Sequence, residues 1–155
     1  KSSIWGSGPS DVYALSTFDL VHYVGSSWTE IDLDAFGGDG QVWGTSASDV
    51  WVMTDSSEIS HFDGVRWDTI DALDMVGDLA AVWGPSPNDL WAVGSAGAIA
   101  HFDGDSWRQV AHQRIGAPYL RLFRAVHGTS SADVWAVGQE LGTGGSTGLI
   151  FRYQP

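Results

Sequence analysis

Cysteine is absent from this 155-residue chain, which excludes disulfides and thiolate metal centres and leaves the compartment open. Basic residues are nearly as scarce. Seven Lys and Arg face 19 Asp and Glu, a net charge of −12. A surface of that sign repels phosphate, so nucleic acid is not an expected partner, and an anionic membrane surface is disfavoured in the same way. No apolar run approaches the roughly 20 residues a spanning helix needs, so no membrane insertion is expected. Initiator Met and signal peptide are both missing, and the chain reads as a processed or excised piece. Helix formers are sparse and no window sustains a 3.6-residue apolar period. Signatures of catalysis are lacking too: there is no nucleophile elbow, phosphate loop or HExxH motif. Acids for a glycoside-hydrolase pair abound, but nothing singles two out. The expectation is a protein that is not an enzyme.

Tryptophan and glycine are what the chain has in excess, with nine Trp and 20 Gly. Such a composition suggests short strands, tight turns and large flat side chains packed between sheets. An internal repeat explains it. IWGSGPSDVYAL, VWGTSASDVWVM, VWGPSPNDLWAV and VHGTSSADVWAV begin at positions 4, 42, 82 and 126. Each is followed by a second string: VHYVGSSW, SHFDGVRW, AHFDGDSW and the shortened IFRYQP.

Each copy reads as four strands, a to d. Strand a ends in Trp-Gly, and a five-residue polar turn ending in Asp11, Asp49, Asp89 or Asp133 leads into strand b. Strand c carries His22, His61 or His101, an Asp-Gly step supplies the positive φ of a tight hairpin, and strand d begins at Trp28, Trp67 or Trp107. DVWAVG does not alternate polar with apolar residues, so both faces of each sheet must be covered. Four strands per period of about 40 residues define propeller blades.

The fold expected is therefore all-β, a β-propeller of four consecutive antiparallel blades. Their boundaries are about 1–36, 37–76, 77–118 and 119–155, forming a single segment. The last blade lacks its outer strand, so the ring is expected to be completed by further sequence or another chain.

The VWG…DVWAVG…HFDGxxW pattern resembles the Trp-rich propeller repeats of secreted or surface proteins of bacteria. More distantly it is similar to Asp-box and tachylectin-type lectin blades. That resemblance implies a secreted or cell-surface location and a lectin-like role. Departures from the pattern are Val24 where Asp is expected, His127 for Trp and Arg152 for His.

Function is read from what does not repeat. The a–b and c–d turns are nearly invariant and lie at one end of each sheet, whereas the b–c and d–a loops vary at the other. Blade 4 carries two insertions there, at 111–121 and 138–148. A glycan or protein ligand is expected on that variable rim; a purely structural segment, or part of a propeller hydrolase or lyase, is the alternative. His112, Arg114, Tyr119 and Arg121 lie in the first insertion, and Arg124 follows in the next strand. Together they form a basic and aromatic cluster fit for a carboxylate or sugar, or for ion pairing. Trp28, Trp67 and Trp107, nearest the outer edge, are candidates for sugar contact.

Ten of the 19 acids fall in the variable loops. They suit a cationic partner or a hard ion such as Ca²⁺, for which the D-x-D of Asp32 and Asp34 offers only two candidate ligands. No cofactor is otherwise expected. The recurring Trp read as packing, the recurring His as hydrogen-bonded structural groups, and the recurring Asp as acceptors for the backbone of their own turns.

Overall fold

A computed structural model describes residues 2–17, 19–33, 40–54, 58–71, 77–110 and 120–154. Every repeat becomes a meander whose spatial order is its sequence order, all pairs antiparallel. Sheet 1 holds β1 (Ser3–Gly8), β2 (Asp11–Leu15), β3 (Leu20–Tyr23) and β4 (Trp28–Ile31). Sheet 2 holds β5 (Gly40–Ser46), β6 (Asp49–Thr54), β7 (Glu58–Phe62) and β8 (Trp67–Asp71). Sheet 3 holds β9 (Leu79–Ser86), β10 (Asp89–Gly94), β11 (Ile99–Phe102) and β12 (Trp107–Gln109). Sheet 4 has three strands only, β13 (Leu120–Ser130), β14 (Asp133–Gly142) and β15 (Gly145–Tyr153). The missing outer strand of the fourth repeat is thus borne out among the described residues.

Two local features differ from the expectation. The polar stretch between strands a and b is not a five-residue loop, because both strands run on into it. Ser46 pairs with Asp49, Ser86 with Asp89 and Ser130 with Asp133, leaving a two-residue turn after a bulge. The bulge lets Gly44, whose added Cβ would lie 2.5 Å from the Asp49 carbonyl, pass close to the facing strand. In the fourth repeat, the inserted 138–148 stretch is likewise no loop. It lengthens β14 and β15, with Gly138 opposite Leu149, Glu140 opposite Thr147 and Gly142 opposite Gly145. An antiparallel pair can grow this way without disturbing the register already set by Val134–Tyr153.

Two compact units divide the chain, Lys1–Ala72 with sheets 1 and 2, and Leu73–Pro155 with sheets 3 and 4. Directly paired residues share a face of a sheet, so the register assigns every side chain. In the first unit one face of sheet 1, with Tyr13, Leu15 and Leu20, packs on Val42, Val50 and Val52 of sheet 2. In the second unit the equivalent face of sheet 3, with Ala81, Trp91, Val93 and Ile99, packs on Phe123, Val126, Val134 and Ala136 of sheet 4. The same geometry recurs: Trp5 lies over Gly44, 2.8 Å from where a Cβ would sit, and Trp83 lies over Gly128, 2.6 Å from its would-be Cβ. The Trp-Gly signature is a knob and its hole. Tryptophan fills the space between sheets, and glycine provides the space.

Candidate interaction surface

At one end of each sheet, the repeated polar residues satisfy one another. His61 Nε2 lies 2.8 Å from Asp49 Oδ1, His101 Nε2 2.8 Å from Asp89 Oδ1, and His22 Nε2 2.5 Å from Asp11 Oδ1. A hydroxyl donates to the other carboxylate oxygen, from Ser7 to Asp11, Thr45 to Asp49 and Thr129 to Asp133. The Trp51 indole Nε1–H adds a bond of 3.0 Å to Asp49 Oδ1. Each imidazole also stacks on the aromatic ring of strand b: Tyr13–His22 at 4.0 Å, Trp51–His61 at 3.8 Å and Trp91–His101 at 4.5 Å.

Sheet 4 rebuilds this tie with a different cation. Arg152 Nε donates to Asp133 Oδ1 at 2.8 Å while its guanidinium lies 4.5 Å from the Trp135 ring centre. The recurring Asp therefore ties two neighbouring strands through side chains; the backbone of its own turn, which the sequence had suggested, contributes at Asp11 through Ser7.

Electrostatics follow from these bonds. Burial pulls Asp49 upward, but the hydrogen bonds from His61, Thr45 and Trp51 outweigh it and hold the carboxyl below its ordinary value. Asp11 is lowered in the same way, by Ser7 and His22 against burial. Burial of Tyr13, helped by the charge of Asp11, pushes its phenol up to about 12. The Asp-Gly hairpins use a second carboxylate: Asp63 Oδ1 accepts from the backbone N–H of Val65 (2.8 Å) and Arg66 (2.9 Å). Asp103 repeats this with Asp105 and Ser106. Gly64 and Gly104 follow at φ 92° and 94°, in the left-handed region that favours glycine.

The opposite end does not repeat. Between β2 and β3, Ser16 and Asp19 close a short turn, with Asp19 N–H donating to Ser16 Oγ at 3.1 Å. Between β10 and β11 a 3₁₀ turn at Ser95–Gly97 does the same job, tied to Asp78 through Ser95 N–H at 2.8 Å. Ala96 there adopts φ 53°, alone in the left-handed region among described non-glycine residues. Between β14 and β15 the long hairpin closes at Gly142 and Gly145. In the first unit Asp19 and Asp32 are exposed at this end of their sheet, and in the second unit so is Asp78. A shallow groove of about 480 Å³ opens beside the first turn, with Ile4, Leu15, Ser16 and Asp19 in its wall.

The candidate site residues are not gathered into one place. His112, Arg114, Tyr119 and Asp34 lie outside the described residues. Arg121 is ion-paired with Glu140 across β13 and β14 at 3.2 Å, and Arg124 is exposed at a bulge between Phe123 and Ala125. The three strand-d tryptophans differ from one another. Trp28 is 51% exposed, whereas Trp67 is half-buried, tilted on Phe62 and edge-on to Tyr13. Trp107 is half-buried against Phe102. Asp32 is exposed, and among the described residues no three His, Asp or Glu converge to hold a metal ion. Sequence reasoning missed the Asp–His tie. Its signal was the equal spacing of 12 residues in Asp49–His61 and Asp89–His101.

No protein-family model and no curated protein matches the chain. Solved structures do. The chain is similar to YCF48 bound to D1 peptide, with a TM-score of 0.69 and 18% identity, covering 100% of this chain and 50% of that one. It is also similar to YCF48 from Cyanidioschyzon merolae, with a TM-score of 0.57 and 14% identity, covering 92% of this chain and 56% of that one. The fold is that of a β-propeller. This chain spans about half the length of those structures.

Proposed function

We propose that the chain is a non-catalytic protein-interaction module whose ligand is held on the loops between strands b and c and between strands d and a. The observation that carries this reading is the division of labour between the two ends. At the repeating end, Asp11, Asp49, Asp89 and Asp133 are occupied by histidine or arginine of their own sheet. Asp63 and Asp103 are occupied by backbone. At the other end, the exposed carboxylates Asp19, Asp32 and Asp78 stand on turns that differ from sheet to sheet. Variation on a rigid scaffold is how loops acquire ligands.

A protein ligand is preferred to a glycan because one YCF48 structure of the same fold holds a peptide, and because Trp67 and Trp107 spend their rings on neighbouring aromatics. A net charge of −12 favours a basic partner. The test is a parallel screen of the labelled chain on an array of Lys/Arg-rich peptides and on a glycan array. Peptide binding that weakens with added salt is expected. Replacing Asp19 and Asp32 of the first unit with Asn, or Asp78 of the second, should each lower affinity several-fold, as exposed charges allow. Glycan binding with a blank peptide array would overturn the reading.

A further inference from the structure

Among the described residues, the ion pairs of Asp11, Asp49, Asp68, Asp89, Asp103 and Asp133 all belong to the repeating end of their sheets. One pair does not. Arg121 Nε lies 3.2 Å from Glu140 Oε2 at the variable end of sheet 4, with the two side chains 21% and 20% exposed.

The inserted stretch sets its position. Strands b and c of sheet 3 make their last rung at Val93–Ile99 before the turn at Ser95–Gly97 joins them. Sheet 4 reaches the equivalent rung at Val137–Ile150 and continues through Glu140–Thr147 to Gly142–Gly145. Residues 143–148 are all exposed, so the added ladder buries little and packing does not account for it. Side chains alternate across a strand, which puts Glu140 on the face of β14 that carries Val134 and Ala136 against sheet 3. Arg121 stands opposite Glu140 on that face. β13 touches the Ser95–Gly97 turn within the same compact unit. The pair therefore lies on the side of the ladder that faces the b–c turn of sheet 3.

We infer that Glu140 is an anchor for a Lys or Arg side chain of the protein partner, and that Arg121 occupies it until that side chain displaces it. This rests on the peptide reading above and gives it a residue in the second unit. The chemistry is already displayed in the molecule, since a guanidinium donates to the Glu140 carboxylate. Such charge-assisted bonds are the stronger kind, and a partner's cation can make the same one. Partial burial adds to it: a carboxylate shielded from water attracts a cation more strongly than the exposed Asp19, Asp32 and Asp78 do. Arg121 then acts as a built-in competitor. A ligand binds only the fraction of molecules whose Glu140 is released, so its apparent affinity falls by that fraction. Partners without a cation cannot make the exchange, and the pair selects against them.

Fluorescence anisotropy of a labelled oligo-arginine peptide, titrated with the whole chain, tests this. Arg121→Gln is expected to tighten binding about fivefold, the weight of one partly exposed ion pair. Glu140→Gln should weaken it by a similar factor. The double variant should match Glu140→Gln alone, because without the carboxylate the competitor has nothing to hold. Arg124→Gln removes the same charge from an exposed position and should change affinity less than about twofold, which separates the pair from net charge. Circular dichroism checks that each variant keeps its fold. Unchanged or weaker binding by Arg121→Gln overturns the inference, as does equal tightening by Arg124→Gln. Glu140→Gln without effect overturns it by itself. Any of these results with a wild type that binds the peptide leaves the loop reading standing. Absence of binding by the wild type and Arg121→Gln alike is failure of that reading, and the anchor falls with it.

Discussion

Sheets 2 and 4 build the same three-way contact from different parts, and the comparison separates what the repeat needs from what it merely uses. In sheet 2, Asp49 holds His61, His61 stacks on Trp51, and Trp51 is 1% exposed. In sheet 4, Asp133 holds Arg152, Arg152 covers Trp135, and Trp135 is 41% exposed. What persists is a carboxylate, a planar cationic or polar group, and an indole. Imidazole is the more compact of the two groups, and His61 is half-buried. The longer guanidinium is tolerated where the face stands open, since its outer nitrogens keep water.

The largest break in this comparison comes from removing the indole. Trp51→Ala should cost about 3–5 kcal/mol in urea denaturation, the ordinary price of a buried aromatic. Trp135→Ala, whose ring is 41% exposed but still carries Arg152, should cost less, about 1–2 kcal/mol. Equal losses would mean that the two rings have the same surroundings.

Next comes the tie itself. His61→Ala leaves the Asp49 carboxylate buried without its main donor, and a loss of about 1–3 kcal/mol is expected. Arg152→Ala, whose partner is reached by water, should lower the melting temperature less. The reverse order would contradict the difference drawn between the sheets.

Acid and base sharpen the same point. Asp49 is held below its ordinary 3.8 in the fold. Its contribution is therefore present above about pH 4 and lost as pH falls through the lowered value. Tyr13 titrates near 12 instead of 10. Its contribution is complete below pH 10 and lost as pH rises toward 12. Thermal melts from pH 2 to 12 should show both shoulders. Asn at position 49 should weaken the acid one, and Phe at position 13 the alkaline one. The smallest effect concerns Ala96, held at φ 53°. Ala96→Gly should raise stability by up to about 1 kcal/mol by relieving the left-handed backbone.

Much of this architecture is legible in the residues because the repeat is written four times. Unbroken apolar runs such as DVWVMT show that strand b is covered on both faces, and all six of its residues in sheet 2 are buried. Asp-Gly places the hairpins, because few other steps adopt that φ. Less is legible where the physics is not local. The pairing of Asp49 with His61 depends on strands b and c lying in one particular register, which composition does not reveal. The inserted 138–148 stretch, rich in Gly, Thr and Ser, reads as a loop, yet antiparallel pairing carries it on as strand. Trp28 and Trp67 occupy one repeat position but differ in exposure, since only the latter has a sheet facing it within its own unit.

The most direct test of the division between the two ends is hydrogen exchange with and without a bound Lys/Arg-rich peptide, read residue by residue. Slowed exchange should concentrate at Ser16–Asp19, Asp78 and Ser95–Gly97, with no change at Asp63–Trp67 and Asp103–Trp107. Protection centred on those Asp-Gly hairpins instead would contradict the account.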